Sequence, residues 1–177
     1  MGNNMKKFFT LLAITALASC ATNKGVTTTN WLGKSITIKS EMPENGTITA
    51  TREFEKGLNL NGFEQLYPKS NYNPHSVLIQ YEYNKNQSEE EYADDFYKEE
   101  IFLEIPAEAF KKQYENEELE EVKLVYAKHC YCKGEAGYYK ITDGILNIKH
   151  SEKSTSVKLT FKAPVNSLIE NIEFTVE

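Results

Sequence analysis

The stretch that most directly sets the fold is YYKITDGILNI, residues 138–148. Large apolar side chains alternate with polar ones on both sides of Asp143-Gly144, and alternation with a period of two is typical of half-buried strands. Asp-Gly is a strong hairpin signal because both residues tolerate the positive φ angles of a type I′ turn. We therefore expect an antiparallel hairpin in which Tyr139 pairs with Ile148.

The same alternation recurs along much of the rest of the chain. It appears in KSITIKSE (34–41), GTITATREF (46–54), SVLIQYEYN (76–84), IFLEI (101–105), VKLVYA (122–127), VKLTF (157–161) and IEFTV (172–176). These runs predict roughly seven or eight strands, and no rhythm of strand, helix and strand is visible. The expected fold is mainly β, either an antiparallel β-sandwich or a barrel-like meander, in a single domain over residues 31–177.

The N-terminus has the layout of an export signal. Lys6 and Lys7 precede an apolar run, residues 8–18, which is followed by Ser19 and Cys20. A permanent transmembrane helix needs about 20 apolar residues, so this run is too short to remain as a membrane span. We therefore predict that residues 1–19 are a signal peptide.

The sequence LASC, residues 17–20, closely resembles the lipobox of bacterial lipoproteins, in which a Leu and two small residues precede a Cys. The resemblance implies cleavage before Cys20, a diacylglycerol on its sulfur and a further acyl chain, such as palmitate, on its amino group. Two or three acyl chains hold a protein on a bilayer, whereas one binds only marginally. Residues 20–30 are then a lipidated tether. The alternative is an ordinary secretory signal in which Cys20 stands by chance.

The resemblance also implies a location. Lipoproteins of this type reside in the cell envelope, and Ala21, which is not Asp, favours the outer membrane. The absence of acidic residues directly after Cys20 favours its periplasmic face. The membrane is thus an expected partner through the lipid anchor.

The charge of the chain excludes some partners. Removal of residues 1–19 leaves 158 of the 177 residues and changes the net charge from −6 to −8, because Lys6 and Lys7 are lost. Nucleic acid requires basic surface that releases counterions, so it is not an expected partner. Direct adhesion to anionic lipid headgroups is disfavoured for the same reason.

Most of the negative charge lies in one segment. Residues 89–121 contain fourteen Asp and Glu against three Lys. We interpret this segment as a solvated insertion with one or two short helices, one beginning in SEEE (88–91) with a capping box and one at Pro106. The alternatives are a Ca²⁺ site or a docking site for a basic partner, although the Asp-x-Asp-x-Asp-Gly pattern of a calcium loop is absent.

The stretch HCYCKG, residues 129–134, is the main candidate for chemistry. In a regular strand Cys130 and Cys132 share one face and His129 points away, while the expected hairpin register brings His150 into the cysteine row. Three interpretations remain open. The thiols could pack as small apolar groups; they could form a disulfide, despite Cα atoms about 6.6 Å apart in a regular strand; or they could join His150 in a zinc or copper site.

Signals for catalysis are otherwise weak. The three histidines lie on different predicted elements, and no Gly-x-Ser-x-Gly, His-Glu-x-x-His or phosphate-binding glycine loop is present. The leading hypothesis is a noncatalytic envelope lipoprotein whose β-domain binds a protein partner or a small ligand and needs no cofactor beyond its lipid. The alternative is a metal-handling or thiol-redox envelope protein that uses Cys130, Cys132 and His150.

Overall fold

The computed structural model describes residues 27–31, 34–54, 56–61, 65–70, 73–86 and 95–177. The predicted signal peptide, the lipid attachment site Cys20 and the helix predicted at SEEE (88–91) lie outside these residues. Strand structure begins at Thr27, inside the range 20–30 that the sequence assigns to a tether. In the described part of the chain, no helix is both long and apolar enough to cross a membrane.

The described residues form thirteen strands and one short 3₁₀ helix, Asn116–Glu121. The strands are β1 Thr27–Trp31, β2 Lys34–Ile38, β3 Gly46–Glu53, β4 Lys56–Leu60, β5 Leu66–Ser70, β6 Ser76–Lys85, β7 Tyr97–Pro106, β8 Phe110–Glu115, β9 Lys123–Cys130, β10 Gly137–Lys140, β11 Gly144–His150, β12 Thr155–Phe161 and β13 Asn171–Val176.

Two antiparallel sheets make up the body of the molecule. The six-stranded sheet has the order β1-β2-β13-β12-β11-β8, and the five-stranded sheet has the order β10-β9-β7-β6-β3. A separate two-stranded hairpin, β4–β5, completes the described strands. The mainly-β fold predicted from the alternation is confirmed, and it takes the form of a sandwich rather than a closed barrel.

The core lies between the two large sheets. Side chains alternate between buried and exposed along β12 and β13, as the period of two predicts. Tyr81 on β6 packs against Phe174 on β13 with ring centroids 5.1 Å apart, and Tyr126 on β9 lies 5.9 Å from Phe161 on β12. Each pair joins one sheet to the other, so these aromatic contacts hold the layers together.

The hairpin predicted around Asp143-Gly144 is wrong. Tyr139 pairs with Tyr126 in the five-stranded sheet, whereas Ile148 pairs with Val157 in the six-stranded sheet. Residues 141–143 therefore carry the chain from one sheet to the other.

The crossover has a physical cause in two of its residues. Ile141 is fully buried in the core that both sheets share. Gly144 has φ +146°, and a Cβ there would clash with the carbonyl oxygen of Thr160. Glycine at this position lets the chain enter the six-stranded sheet in close contact with β12. The Asp-Gly pair thus serves a sheet change instead of a tight turn.

The acidic segment differs in part from the expectation. The strand predicted at IFLEI (101–105) is confirmed and extends over residues 97–106 as β7, the central strand of the five-stranded sheet. Glu99 and Glu100 on this strand are buried, not solvated. The helix predicted to begin at Pro106 is wrong, because Pro106 ends β7 and the chain continues into strand β8. One short helix does lie in the segment, the 3₁₀ helix, and a reciprocal capping box between Glu115 and Glu118 begins it.

The β4–β5 hairpin covers part of the outer face of the five-stranded sheet, the face turned away from the other sheet. Leu58 joins a small apolar cluster there with Leu78, Phe102, Val125 and Ala127. The Leu58 N–H donates to the Glu104 carboxylate over 2.7 Å, and Lys123 pairs with the same carboxylate at 2.8 Å. The Glu104 carboxylate thus holds the hairpin beside the apolar cluster.

Replacement of Gly144 by alanine tests the crossover. We expect Gly144→Ala to lower the free energy of unfolding by more than about 2 kcal/mol, because the added methyl meets backbone atoms that cannot retreat. Gly134→Ala is the matched control, since Gly134 also has positive φ but its Cβ would meet nothing within 4 Å. The control should cost about 1 kcal/mol. If urea unfolding showed the same loss of free energy of unfolding in both variants, close packing at Gly144 would not explain the crossover.

Candidate functional site

The stretch HCYCKG spans the end of β9 and the cysteine turn, residues 131–136, which leads into edge strand β10. Cys130 is the last residue of β9 and lies opposite Tyr97 of β7. Cys132 lies beyond the paired strand. His129 projects onto the outer face of the five-stranded sheet, where it meets Glu100.

His129 belongs to an ionic cluster around the buried Glu100 carboxylate. The His129 Nε2 atom lies 2.7 Å from Glu100, Gln80 donates to Glu100 over 2.8 Å, and Lys98 pairs with it at 3.1 Å. Burial alone would raise the pKa of Glu100, but the hydrogen bond to His129 and the charge of Lys98 outweigh it and hold the pKa below its usual value. This cluster satisfies its own charges.

A cleft of about 340 Å³ lies beside this cluster, between the β4–β5 hairpin and the sheet. It is lined by Lys56, Pro68, Lys69, Gln80, Lys98, Glu100, Phe102, His129 and Tyr138. A carboxylate that orients an imidazole can activate a nucleophile. These lining residues include no Ser, Thr or Cys for it to activate, so the arrangement fits a structural ionic patch better than a nucleophilic site.

A second buried carboxylate, Glu99, holds the β12–β13 loop, residues 162–170. The backbone N–H groups of Leu168 and Ile169 donate to Glu99 over 2.9 and 3.1 Å. The Ser167 hydroxyl donates over 2.9 Å, and the Tyr97 hydroxyl donates as well. Burial, together with the negative charge of Glu99, raises the pKa of Tyr97 far above its usual value. The contact between Glu99 and the loop could not be predicted from local sequence patterns, because its partners are about 70 residues apart.

Cys130 and Cys132 are joined in a disulfide. Their Cα atoms are 5.2 Å apart, closer than two residues in a regular strand, because the chain leaves the strand at Cys130 and bends at Tyr131. Of the three interpretations left open by the sequence, the structure has the bridged pair.

His150 does not approach the cysteines. It lies at the end of β11 in the other sheet, buried, with Nδ1 2.7 Å from the Thr155 hydroxyl and Nε2 3.2 Å from the Ala107 carbonyl. The predicted row from Cys132 to His150 is wrong because it depended on the hairpin that does not form. Among the described residues, no three His, Cys, Asp or Glu side chains are placed to hold a metal ion.

The outer face of the six-stranded sheet carries a different kind of surface, here called the lysine face. Its basic residues are Lys39, Lys111, Lys149 and Lys158. Among the outward side chains that the structure describes on this sheet, only Glu115 and Glu173 are acidic. Part of the face is a depression of about 430 Å³, to which asparagine, glutamine, serine and threonine side chains also contribute. The face is therefore basic on a chain that is acidic as a whole.

Two of these lysines lie opposite each other on neighbouring strands. Lys111 on β8 lies directly opposite Lys149 on β11, and like charges in this position destabilise a sheet. Glu173 lies 3.4 Å from Lys158 and 4.0 Å from Lys39, but Lys111 and Lys149 form no ion pair with any residue the structure describes. This face could not be predicted from local sequence patterns because the register of four separate strands assembles it.

Scans of the chain against protein-family models, curated proteins and solved structures find no match.

The buried position of His150 predicts a pH dependence. Burial lowers its pKa below the usual 6.5, and the charge of Arg52 acts in the same direction, while the bond to the Ala107 carbonyl opposes them. The unfolded chain therefore takes up this proton more readily. The stabilising contribution is complete above about pH 6.5 and is lost as the pH falls towards the lower pKa of the folded state.

We expect His150→Gln to flatten the fall in the free energy of unfolding as the pH drops below about 6.5, measured by urea unfolding. His75→Gln is the control, because His75 is exposed in the loop before β6. If the His75 variant flattened the curve instead, the assignment to His150 would be wrong.

Proposed function

We propose that this chain is a lipid-anchored bacterial envelope lipoprotein whose β-sandwich binds an acidic partner protein through the lysine face. The observation that carries the binding role is the opposed pair Lys111 and Lys149, which forms no ion pair with any residue that the structure describes. An anionic partner would relieve the repulsion between these two charges.

The extent of the lysine face favours a protein partner over a small ligand. Lys111 on β8 and Lys39 at the end of β2 are separated by four strand intervals, or about 19 Å at the usual spacing between strands. A single small anion cannot contact both ends of such a row. Charged surfaces such as the lysine face mainly raise the rate of association and determine which partner is bound.

A binding role also agrees with how the other charged groups are used. Glu100 is satisfied by His129, Gln80 and Lys98, while Glu99 is satisfied by the β12–β13 loop. Hydrogen-bonded groups of this kind stabilise a fold, and in each cluster the buried carboxylate has several hydrogen-bond donors. On the lysine face, Lys111 and Lys149 form no ion pair with any residue that the structure describes.

The anchor is supported by LASC at residues 17–20 and by the basic and apolar regions before it. Acyl chains on Cys20 would keep the domain at the outer membrane. The tether after Cys20 is short, so the partner would be another protein close to the same membrane.

Loss of Cys20 tests the anchor. We expect the wild-type protein to enter the detergent phase during detergent phase separation and Cys20→Ala to remain in the aqueous phase, because two or three acyl chains are lost. The variant Cys130→Ser/Cys132→Ser should enter the detergent phase like the wild type. A wild-type protein found in the aqueous phase with an unmodified thiol at position 20 would contradict the anchor.

Charge reversal tests the lysine face. We expect Lys111→Glu/Lys149→Glu to abolish capture of the partner when the anchored protein is crosslinked in intact envelopes and recovered. Raising the salt concentration should weaken wild-type capture, since exposed charges are screened beyond about 10 Å at 0.1 M ionic strength.

The matched control for this experiment is Lys85→Glu/Lys140→Glu. Both lysines are exposed on the five-stranded sheet, and the double variant changes the net charge by the same amount. It should capture the partner as the wild type does. Equal loss in both variants, or capture of no acidic protein by the wild type, would overturn the proposal.

A further inference from the structure

The disulfide between Cys130 and Cys132 has little to hold in place. Only one residue, Tyr131, lies between the two cysteines, so the disulfide closes a very short loop. A disulfide stabilises a fold mainly by limiting the freedom of the unfolded chain, and that effect shrinks as the enclosed loop shortens. The bridge is therefore a weak structural element on grounds of chain length alone.

Polar contacts already fix the cysteine turn without the bridge. Lys128, which is only 3% exposed, pairs with Glu135 at 2.5 Å and donates to the Asn166 carbonyl over 2.7 Å. Asn166 in turn donates to Glu135 over 2.8 Å, and the Tyr139 hydroxyl donates to the Glu135 carbonyl over 3.0 Å. The Glu135 N–H donates to the Cys132 carbonyl over 3.3 Å, and this backbone hydrogen bond closes the turn.

The pair is also placed where another molecule can reach it. Both cysteines are partly exposed, and Tyr131 between them is 74% exposed. Lys133 and Gly134, which follow, are exposed too. Exposed disulfides exchange with external thiols more readily than buried structural ones.

We propose that Cys130 and Cys132 form a redox-active pair that exchanges with dithiols of a substrate protein and that the fold does not need. This activity is independent of the anchor and of the lysine face. It also does without His150, which lies in the other sheet.

The exchange balances with a dithiol as the reductant. A substrate thiolate attacks the sulfur of Cys132, which lies outside the paired strand; an intermolecular disulfide forms, the intramolecular bond breaks and Cys130 leaves as a thiolate. The second substrate thiolate attacks the substrate sulfur in that mixed disulfide and releases the Cys132 thiolate. Two electrons pass to the pair, both cysteines take protons from water, and the substrate leaves as a disulfide.

The test uses the full chain purified without reductant and equilibrated with graded ratios of reduced to oxidised glutathione. After alkylation, mass measurement should show a reversible change from the bridged pair to two alkylated thiols. The reduced protein should keep its near-ultraviolet circular dichroism, and its unfolding constant should rise by no more than about twentyfold, because so short a loop is released. Two free thiols before reduction, a bridge that resists excess glutathione, or unfolding upon reduction would each overturn the proposal.

A reduced peptide with two cysteines serves as the substrate probe. One equivalent of peptide should be oxidised per wild-type molecule, and Cys130→Ser/Cys132→Ser should oxidise none. Cys130→Ser alone should accumulate a mixed disulfide when it is mixed with excess of a single-cysteine peptide supplied as its disulfide dimer, since the Cys132 thiolate displaces one peptide thiolate and neither partner then holds a second cysteine to resolve the bond. If the double variant oxidised the peptide equally well, the activity would lie elsewhere and the proposal would fail.

A further variant separates the polar contacts from the bridge. In Glu135→Ala the turn loses its partners Lys128 and Asn166, so reduction should raise the unfolding constant by a larger factor than in the wild type. If reduction raised the unfolding constant by the same factor in both proteins, the polar contacts would not be what holds the turn. The proposal that the fold does not need the disulfide would then lose its support.

Discussion

The buried carboxylate of Glu99 is the contact on which the rest of the structure depends. A charged group removed from water is costly unless hydrogen bonds satisfy it, and Glu99 finds its donors on the β12–β13 loop. The loop joins two strands of the six-stranded sheet, and Glu99 belongs to the five-stranded sheet. The hydrogen bonds of this one carboxylate thus connect the two sheets at one end of the sandwich.

That tie extends to the cysteine turn. The loop held by Glu99 also contains Asn166, whose carbonyl accepts from Lys128 and whose amide donates to Glu135. The turn that bears the disulfide therefore rests on a network anchored in the core. The hydrogen bonds of Lys128, Glu135 and Asn166 hold the cysteine turn without help from the disulfide. The disulfide can therefore open and close while the turn keeps its conformation.

The division of charge follows from the same architecture. The sequence suggested that the segment 89–121 is solvated, yet two of its acidic residues are buried. Glu99 bonds to the β12–β13 loop, and Glu100 lies on the outer face of the five-stranded sheet, where Gln80 and His129 are its partners. The lysines of the other sheet alternate outward and remain in water. An acidic chain can in this way present a basic face, since net charge describes composition and the pleat of each strand decides which charges reach the surface.

The sequence by itself determined the class of fold and most of the strands, because alternation such as that of residues 157–161 depends only on the period of the pleat. It also carried the prediction of an anchor at Cys20, since a short apolar run with a small-small-Cys end is a local pattern. Only the tertiary structure decided which strands pair. Asp143-Gly144 has the local chemistry of a tight turn, but burial of Ile141 and close packing at Gly144 send the chain into the other sheet. Register and sheet assignment are long-range properties, so the separation of His150 from the cysteines and the assembly of the lysine face could not be read from neighbouring residues.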